Sequence, residues 1–524
     1  MSLLGIACIS LGSIVLARFV QLIWIGRRLK AHKYWVFHDA AAWRLILIPT
    51  WTEIPWVVYG SGRPYEAKHQ DYIKAGTDGY VQMALTAPDC PTIFLADPQA
   101  IKEATRPRSA VLQDVELAKD FLGLFGPNVS TLEGDRWKHH RKISQRAFTE
   151  KNLQVVCSET VLVTKQLLDC WNEQQGRVVS IPQITDTTEK IALMVISSAA
   201  LGQRLSWNED ESKSPPKGYD TSFQKALTVV SRQMLLRLAV PSWAEGWTAA
   251  TRGVATGFRD YKKYLHDMLA SYSMQGSLDE EMMRTKGVLS APADNLFNIM
   301  VSASKQAKIE EGEGLADEEV VGNAFLFLFA GHETTSHALS FSFGLLALYP
   351  EIQQEAYMQL VFGIFMESLR LYPVLPQIQK ITAEDTVISV ARNGSGADEN
   401  DRENIAVPAR STVVFSHVAT HHNSRYWPEP EEFRPTRFTE PYNKDAFLSF
   451  GVGRRSCIGR KFAETEAVAV LATVLARYKI SVDSTKFKYI PGESILARRE
   501  RFLKRPSYYL AAKPGFMPLL FTRR

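Results

Sequence analysis

The chain has 524 residues, of which 45% are hydrophobic and 22% charged, and its formal net charge is +5. These values describe a globular protein with a large core and exclude extensive disorder. So small a positive excess, with no basic tract, excludes a nucleic-acid surface and leaves anionic lipid or acidic partners.

The run from Leu3 to Ile25 is apolar apart from Arg18, Gln21 and small residues. At ~1.5 Å per residue, a helix of that length spans a ~30 Å hydrocarbon layer. No Lys or Arg precedes the run, whereas Arg27, Arg28, Lys30 and Lys33 follow it. That order favours a retained anchor over a cleaved leader and places the rest of the chain in the cytosol. Ala40 to Tyr59 is a second apolar stretch, broken by Arg44, Pro49, Glu53 and Pro55, and reads as an interfacial segment. The expected organisation is an anchor over 1–26, a basic and interfacial linker over 27–59, and one large domain over 60–524.

Thr77 to Ala110 alternates short apolar runs with Pro and Gly, which predicts strands of a small sheet. Val115 to Leu269 reads as chiefly helical, interrupted by the polar loop Asn208–Pro216, and Ser273 to Asp294 reads as a second exposed connection. A long helix is predicted from Asp317 to Leu348, with Asp317, Glu318 and Glu319 in its first turn. Glu351 to Arg370 reads as one continuous helix, with Gly363 as a weak break, and Tyr372-Pro373 ends it. Strands and loops fill Val374 to Pro435, a helix runs from Arg460 to Tyr478, and short strands close the chain. The fold class is mostly α with small β-sheets (α+β), without the β-α alternation of a doubly wound sheet.

Five cysteines (Cys8, Cys90, Cys157, Cys170, Cys457) contain no C-x-x-C pair, so neither a zinc ribbon nor a disulfide framework is indicated. Sequons stand at Asn128 and Asn393 and matter only for a lumenal domain. Four clusters carry chemistry. Trp137 and Arg141 lie one helical turn apart and can reach the same anionic group. Ala330-Gly331-His332-Glu333-Thr334-Thr335 breaks helix propensity in mid-helix. Its small residues admit either a bulky ligand or a crossing helix, and Glu333 with Thr334 can relay protons. Glu367 and Arg370 share one helical face. His139, His140, His421 and His422 read as solvated, while His332 either faces the groove or turns away.

The fourth cluster is Phe450-Gly451-Val452-Gly453-Arg454-Arg455-Ser456-Cys457-Ile458-Gly459. Gly453 permits a tight turn under the sulfur, and Gly459 admits a flat ring where a Cβ would obstruct it. Arg455 offers a guanidinium to a carboxylate on the ring's rim, and Phe450 shields the sulfur. This F-x-x-G-x-R-x-C-x-G pattern resembles the haem-binding loop of the cytochrome P450 family, as does the element order from about residue 60 onward. The resemblance implies the cytochrome P450 fold behind an N-terminal transmembrane helix. It implies heme b (iron protoporphyrin IX) with Cys457 as axial thiolate, and Trp137 and Arg141 on a propionate. It further implies an oxygen groove at Ala330 and Gly331, proton delivery by Glu333 and Thr334, and a buried triad of Glu367, Arg370 and Arg437.

The implied activity is a monooxygenase that inserts one atom of O2 into a lipophilic substrate, in secondary metabolism. Electrons come from NADPH through a partner reductase, at the endoplasmic reticulum membrane. The substrate pocket is expected near Leu112–Leu124, Phe223–Leu238, Phe325–Phe329 and Val374–Gln377. Two rival readings stay open: a haem-thiolate isomerase or dehydratase, and a non-catalytic haem fold. The second arises because the stretch from Glu351 to Glu367 is far shorter than the resemblance leads one to expect, through a deletion or a misjoined gene.

Overall fold

The computed structural model describes residues 3–36, 57, 62–173, 176–207, 215–274, 295–355, 358–393, 401–503, 507–508 and 511–524. The helices that build and support the site are α1 (Leu3–Arg28), α2 (Gly134–Gln145), α3 (Glu150–Glu173), α4 (Ile184–Leu201), α5 (Phe223–Arg232), α6 (Ala249–Met274), α7 (Leu296–Glu311), α8 (Asp317–Leu348), α9 (Pro350–Glu355), α10 (Met358–Leu371) and α11 (Arg460–Leu475). The strands are β1 (Lys33–Trp35), β2 (Gly79–Ala84), β3 (Thr92–Leu95), β4 (Val111–Gln113), β5 (Val178–Ile181), β6 (Gln377–Thr382), β7 (Thr386–Ala391), β8 (Arg402–Val407), β9 (Thr412–Ser416), β10 (Tyr478–Val482), β11 (Ser507–Tyr508), β12 (Ala512–Lys513) and β13 (Leu519–Arg523). A six-stranded sheet runs β1-β2-β3-β9-β6-β4, a three-stranded one β10-β13-β5, and β7-β8 and β11-β12 form pairs.

α8 is the axis of the core. Its first turn carries Asp317, Glu318 and Glu319, and the Glu319 carboxylate accepts the Ala316 N–H at 3.0 Å, satisfying a donor the helix leaves open. From Val320 to Leu348 every residue is buried except Ala330, Gly331, Glu333 and Thr334. A helix buried on all sides requires neighbours on all sides. α4 supplies the closest crossing: an added Cβ on Gly331 would come within 3.1 Å of the Ile196 side chain. Gly322 similarly lets the Gly126-Pro127 backbone approach.

The structure departs from the expected elements at several places. The expected helix over Glu351 to Arg370 falls on α9 and α10, and residues 356–357 between them lie outside the described residues. Gly363 is not a break; a Cβ there would stand 2.4 Å from the Pro435 carbonyl, so the glycine admits a close backbone approach. The last long helix stops at Leu475, and Tyr478 already pairs with Arg523 in a sheet. A short helix, His417–His421, interrupts the predicted strand region, and another, Ile495–Phe502, lies among the closing strands. Residues 37–56 and 58–61 of the interfacial stretch and residues 208–214 and 275–294 of the polar connections lie outside the described residues.

α1 forms where the apolar run predicted a helix, and at ~1.5 Å per residue it is long. Its second half belongs to the domain: Leu22 is buried, and Arg18 donates to the Thr86 carbonyl at 3.3 Å. Among the described residues no helix is long and apolar enough to cross a membrane. The Asn128 sequon is closed to modification, because the side chain is fully buried and donates to the Leu122 and Gly126 carbonyls.

Candidate active site

The loop ahead of α11 turns on Gly451 (φ 66°) and Gly453 (φ 71°), conformations that favour glycine. A Cβ on Gly453 would also strike Thr105 at 2.7 Å. The Cys457 N–H donates to the Phe450 carbonyl at 2.8 Å and closes the loop beneath the sulfur. A Cβ on Gly459 would make ordinary contacts, 3.9 Å from Phe148 and 4.0 Å from the Cys457 Sγ. The cysteine is exposed by surface area yet lies deep in the molecule, so that exposure is to an interior cleft. Burial raises its thiol pKa, opposed by the Gly459 N–H and by the positive charges of Arg141 and Arg460.

Cations gather at one edge of the cleft. The Arg455 guanidinium lies 4.2 Å from the ring centre of the buried Trp137. It donates to the Val129 and Leu132 carbonyls at 3.0 and 2.6 Å and pairs with Glu133 at 2.6 Å. Lys380 on β6 donates to Gln113 of β4 at 2.5 Å. Its pKa falls to about 8 through burial and the nearby charge of Arg455, with Glu133 opposing. Arg141, one turn beyond Trp137, is desolvated and within electrostatic reach of Cys457. Arg455 and Lys380 thus share the carboxylate of Glu133, and Arg141 adds a third positive charge near Arg455. Such an excess of desolvated positive charge suits a ligand carrying carboxylates.

Helix α2 is fixed to α8 by His140. Asn323 Nδ2 donates to its Nδ1 at 3.0 Å, which leaves Nε2–H facing Glu319 at 3.3 Å. His140 is therefore buried and neutral rather than solvated, because burial lowers its pKa, and His139 is half-buried.

On α8 the cleft-facing residue is Ala330, exposed in the middle of an otherwise buried helix, with Glu333 and Thr334 half-buried beside it. Gly331 serves the α4 crossing instead of the cleft. Thr334 Oγ1 donates to the Ala330 carbonyl at 2.7 Å without breaking the helix. Burial raises the Glu333 pKa, with the His337 charge opposing. His332 turns away from the cleft: its Nε2 donates to the Glu189 carbonyl of α4 at 3.1 Å, and burial pulls its pKa to about 4. Phe325, Phe327 and Phe329, expected to line the pocket, are core residues, and Phe325 stacks on Phe125 at 4.3 Å. Leu112 and Leu236 do remain exposed.

Behind the cysteine loop, Glu367, Arg370 and Arg437 meet in the core. Arg370 donates Nε and Nη2 to the two Glu367 oxygens at 2.7 and 2.8 Å, and Arg437 Nε approaches Oε1 at 3.3 Å. The spare guanidinium donors of Arg370 reach the carbonyls of His421, Pro430 and Glu432. His421 and His422, expected to be solvated, are buried with pKa values well lowered by burial.

A flat ligand with a carboxylate edge fits these residues: a soft sulfur donor in a glycine-turned loop, an exposed alanine instead of a large side chain in the core helix, and a cationic rim. Among the described residues no group of three or more His, Cys, Asp and Glu side chains is arranged to hold a metal ion. Sequence reading missed Lys380, Gln113 and Glu133; none stands in a motif, and only the folding of β4 and β6 together assembles the first two.

The Cytochrome P450 family profile matches residues 54–361 and 356–504. These segments meet where α9 gives way to α10, the stretch noted as short. Cytochrome P450 monooxygenase 124 of Postia placenta is 34% identical over 499 residues, covering 90% of each chain. A cytochrome P450 monooxygenase of Arthrobotrys oligospora is 25% identical over 85% of this chain and 84% of its own length. The heme domain of cytochrome P450DA superposes with a TM-score of 0.67 over 91% of this chain and 98% of that domain, at 21% identity. The chain belongs to the cytochrome P450 family and is an oxidoreductase of its monooxygenase kind.

Proposed function

We propose that the chain is a haem-thiolate monooxygenase for a lipophilic substrate, with Cys457 as the axial ligand. The observation that carries the reading is one deep cysteine in a glycine-turned loop together with Ala330, exposed in the middle of an otherwise buried helix. Haem held there would supply activation of O2 and insertion of one oxygen atom into the substrate. The protein's own residues do the rest. Arg141, Arg455 and Lys380 hold the cofactor's carboxylates, and Trp137 braces Arg455. The buried flank of α8 excludes water, and Thr334 and the Glu333 carboxyl, whose pKa burial raises, can hold and pass protons at the cleft wall. The buried triad of Glu367, Arg370 and Arg437 supports the cysteine loop.

The raised Glu333 pKa favours the monooxygenase over an isomerase or dehydratase, which has no use for a proton store. Electrons would come from NADPH through a separate reductase, and secondary metabolism is the setting the fungal relatives favour. The apolar run of α1 with Arg27 and Arg28 at its end supports attachment to the endoplasmic reticulum membrane, the domain over 60–524 being cytosolic. Exposed Ile14, Phe19, Val20 and Trp24 on α1, and Trp243 and Trp247 at 67% and 70% exposure, supply apolar surface for lipid. The test is NADPH-driven oxygen consumption by the membrane-reconstituted protein with a reductase. Consumption that depends on both supports the reading; none, with haem bound, contradicts it.

A further inference from the structure

A charged cluster outside the cleft touches the same helix as Glu333. Glu189 of α4 is buried, and its Oε1 accepts from Lys513 Nζ of β12 at 2.6 Å and lies 3.5 Å from His337 Nε2. Arg232 of α5 stands 3.6 Å from its Oε2. His337 is 1% exposed, and its Nδ1 has no hydrogen-bond partner among the described residues. It follows Glu333 by four residues on α8, which makes the two side chains neighbours on one helical face. Lys513 and Arg232 are 41% and 53% exposed, so the cluster runs from the surface to the cleft wall.

We infer that His337 returns protons to Glu333 after each delivery, and that Glu189, braced by Lys513 and Arg232, keeps His337 able to carry them. This rests on the role proposed above for Glu333. The transfer is a proton alone: it leaves an imidazole nitrogen, arrives on the Glu333 carboxylate directly or across one water, and is replaced from solvent at the Lys513 edge. No electrons move. Both residues act through Glu333 and are positioning residues.

The charges facing His337 sort the roles. Glu189 is an ionised anchor: burial works against it, yet hydrogen bonds from His337 and Lys513 hold its pKa at about 2. A proton from the Lys513 edge crosses its carboxylate only in passing, entering His337 at Nε2 as another leaves from Nδ1. His332 donates to the Glu189 backbone and stays neutral at a pKa of about 4, so it is no carrier at neutral pH. Lys513 and Arg232 are cations and oppose a proton on His337; Glu189 favours it. The alternative is that the cluster merely ties α4, α5 and β12 to α8.

The experiment uses the haem-loaded protein, reduced and with carbon monoxide bound, labelled with carbon-13 at histidine Cε1. A His337→Asn sample assigns the His337 resonance. Glu189→Gln is expected to lower the His337 titration midpoint by about one unit, and Lys513→Met to raise it. With reductase and NADPH, His337→Asn and Glu189→Gln are expected to send a several-fold larger share of electrons to hydrogen peroxide. They should also enlarge the solvent deuterium isotope effect, which a merely structural tie would leave unmoved. An unshifted midpoint in both variants overturns the inference, and so do an unchanged peroxide share and isotope effect. If the unaltered protein consumes no oxygen, the proposed function fails while the titration still decides the Glu189–His337 coupling. Should Glu189→Gln not fold, Lys513→Met carries the test with the opposite sign.

Discussion

His421 Nε2 accepts the Leu448 N–H at 2.8 Å, while its Nδ1–H donates to the Arg370 carbonyl at 3.0 Å. A carbonyl can only accept, so the ring is the neutral Nδ1–H tautomer. One imidazole thus joins the charge triad to the loop that ends in Cys457. His421→Ala would strand a buried N–H and a buried carbonyl, at about 1–3 kcal/mol each. We expect a lower melting temperature for the haem-bound protein and a larger fraction with a displaced cysteine in its carbon-monoxide difference spectrum.

The same histidine, with His332, His417 and His422, predicts acid sensitivity. All four have folded-state pKa values below the ordinary ~6.5, chiefly through burial. Below that value the unfolded chain binds more protons than the folded one, so stability rises with pH there. Their contribution is present above ~6.5 and lost as pH falls toward the lowered values. Denaturant midpoints measured at falling pH should show a decline beginning near that value, reduced in His422→Gln.

Glu367→Gln should be far more damaging than any exposed ion-pair change. Glu367 and Arg370 are both wholly buried, and Arg437 nearly so. Removing the carboxylate leaves two guanidiniums in the core with only carbonyls as partners, a loss of ~3–5 kcal/mol. Urea unfolding of the haem-bound protein checks this, and a loss below about 1 kcal/mol would contradict it.

Much of this was legible in the chain. The bounds of α8 were read as the structure has them, because its acidic first turn and Tyr349-Pro350 are local signals. The loop at Cys457 was equally plain, since glycine spacing encodes backbone turns directly. Burial of histidines was not legible: His140 and His421 are polar by type, and only tertiary partners far away in sequence, Asn323 and Leu448, make their burial tolerable. The role of Gly363 escaped for the opposite reason. Residues 351–370 suit a helix locally, and the approach of Pro435 to Gly363 is visible only once the chain has folded.

Lys380 offers a test of the cationic rim. Lys380→Met keeps the apolar stem but removes a charge set beside Arg455 and Glu133. We expect haem transfer to a haem-scavenging apoprotein to quicken about ten-fold, equivalent to ~1.4 kcal/mol. An unchanged rate would remove Lys380 from the cofactor site.

Glu333 should set an alkaline limb in turnover. Its pKa is raised, chiefly by burial, so its proton is retained above the ordinary carboxylate range and lost as pH rises through that higher value. The rate of productive turnover should fall across that window. Glu333→Gln should flatten the limb and lower the rate by roughly 10²-fold or more.

The most direct test is the carbon-monoxide difference spectrum of the reduced protein beside its Cys457→Ala variant. A red-shifted Soret band in the unaltered protein, absent from a folded Cys457→Ala sample, is the predicted result. Persistence of that band without the Cys457 sulfur would contradict the account.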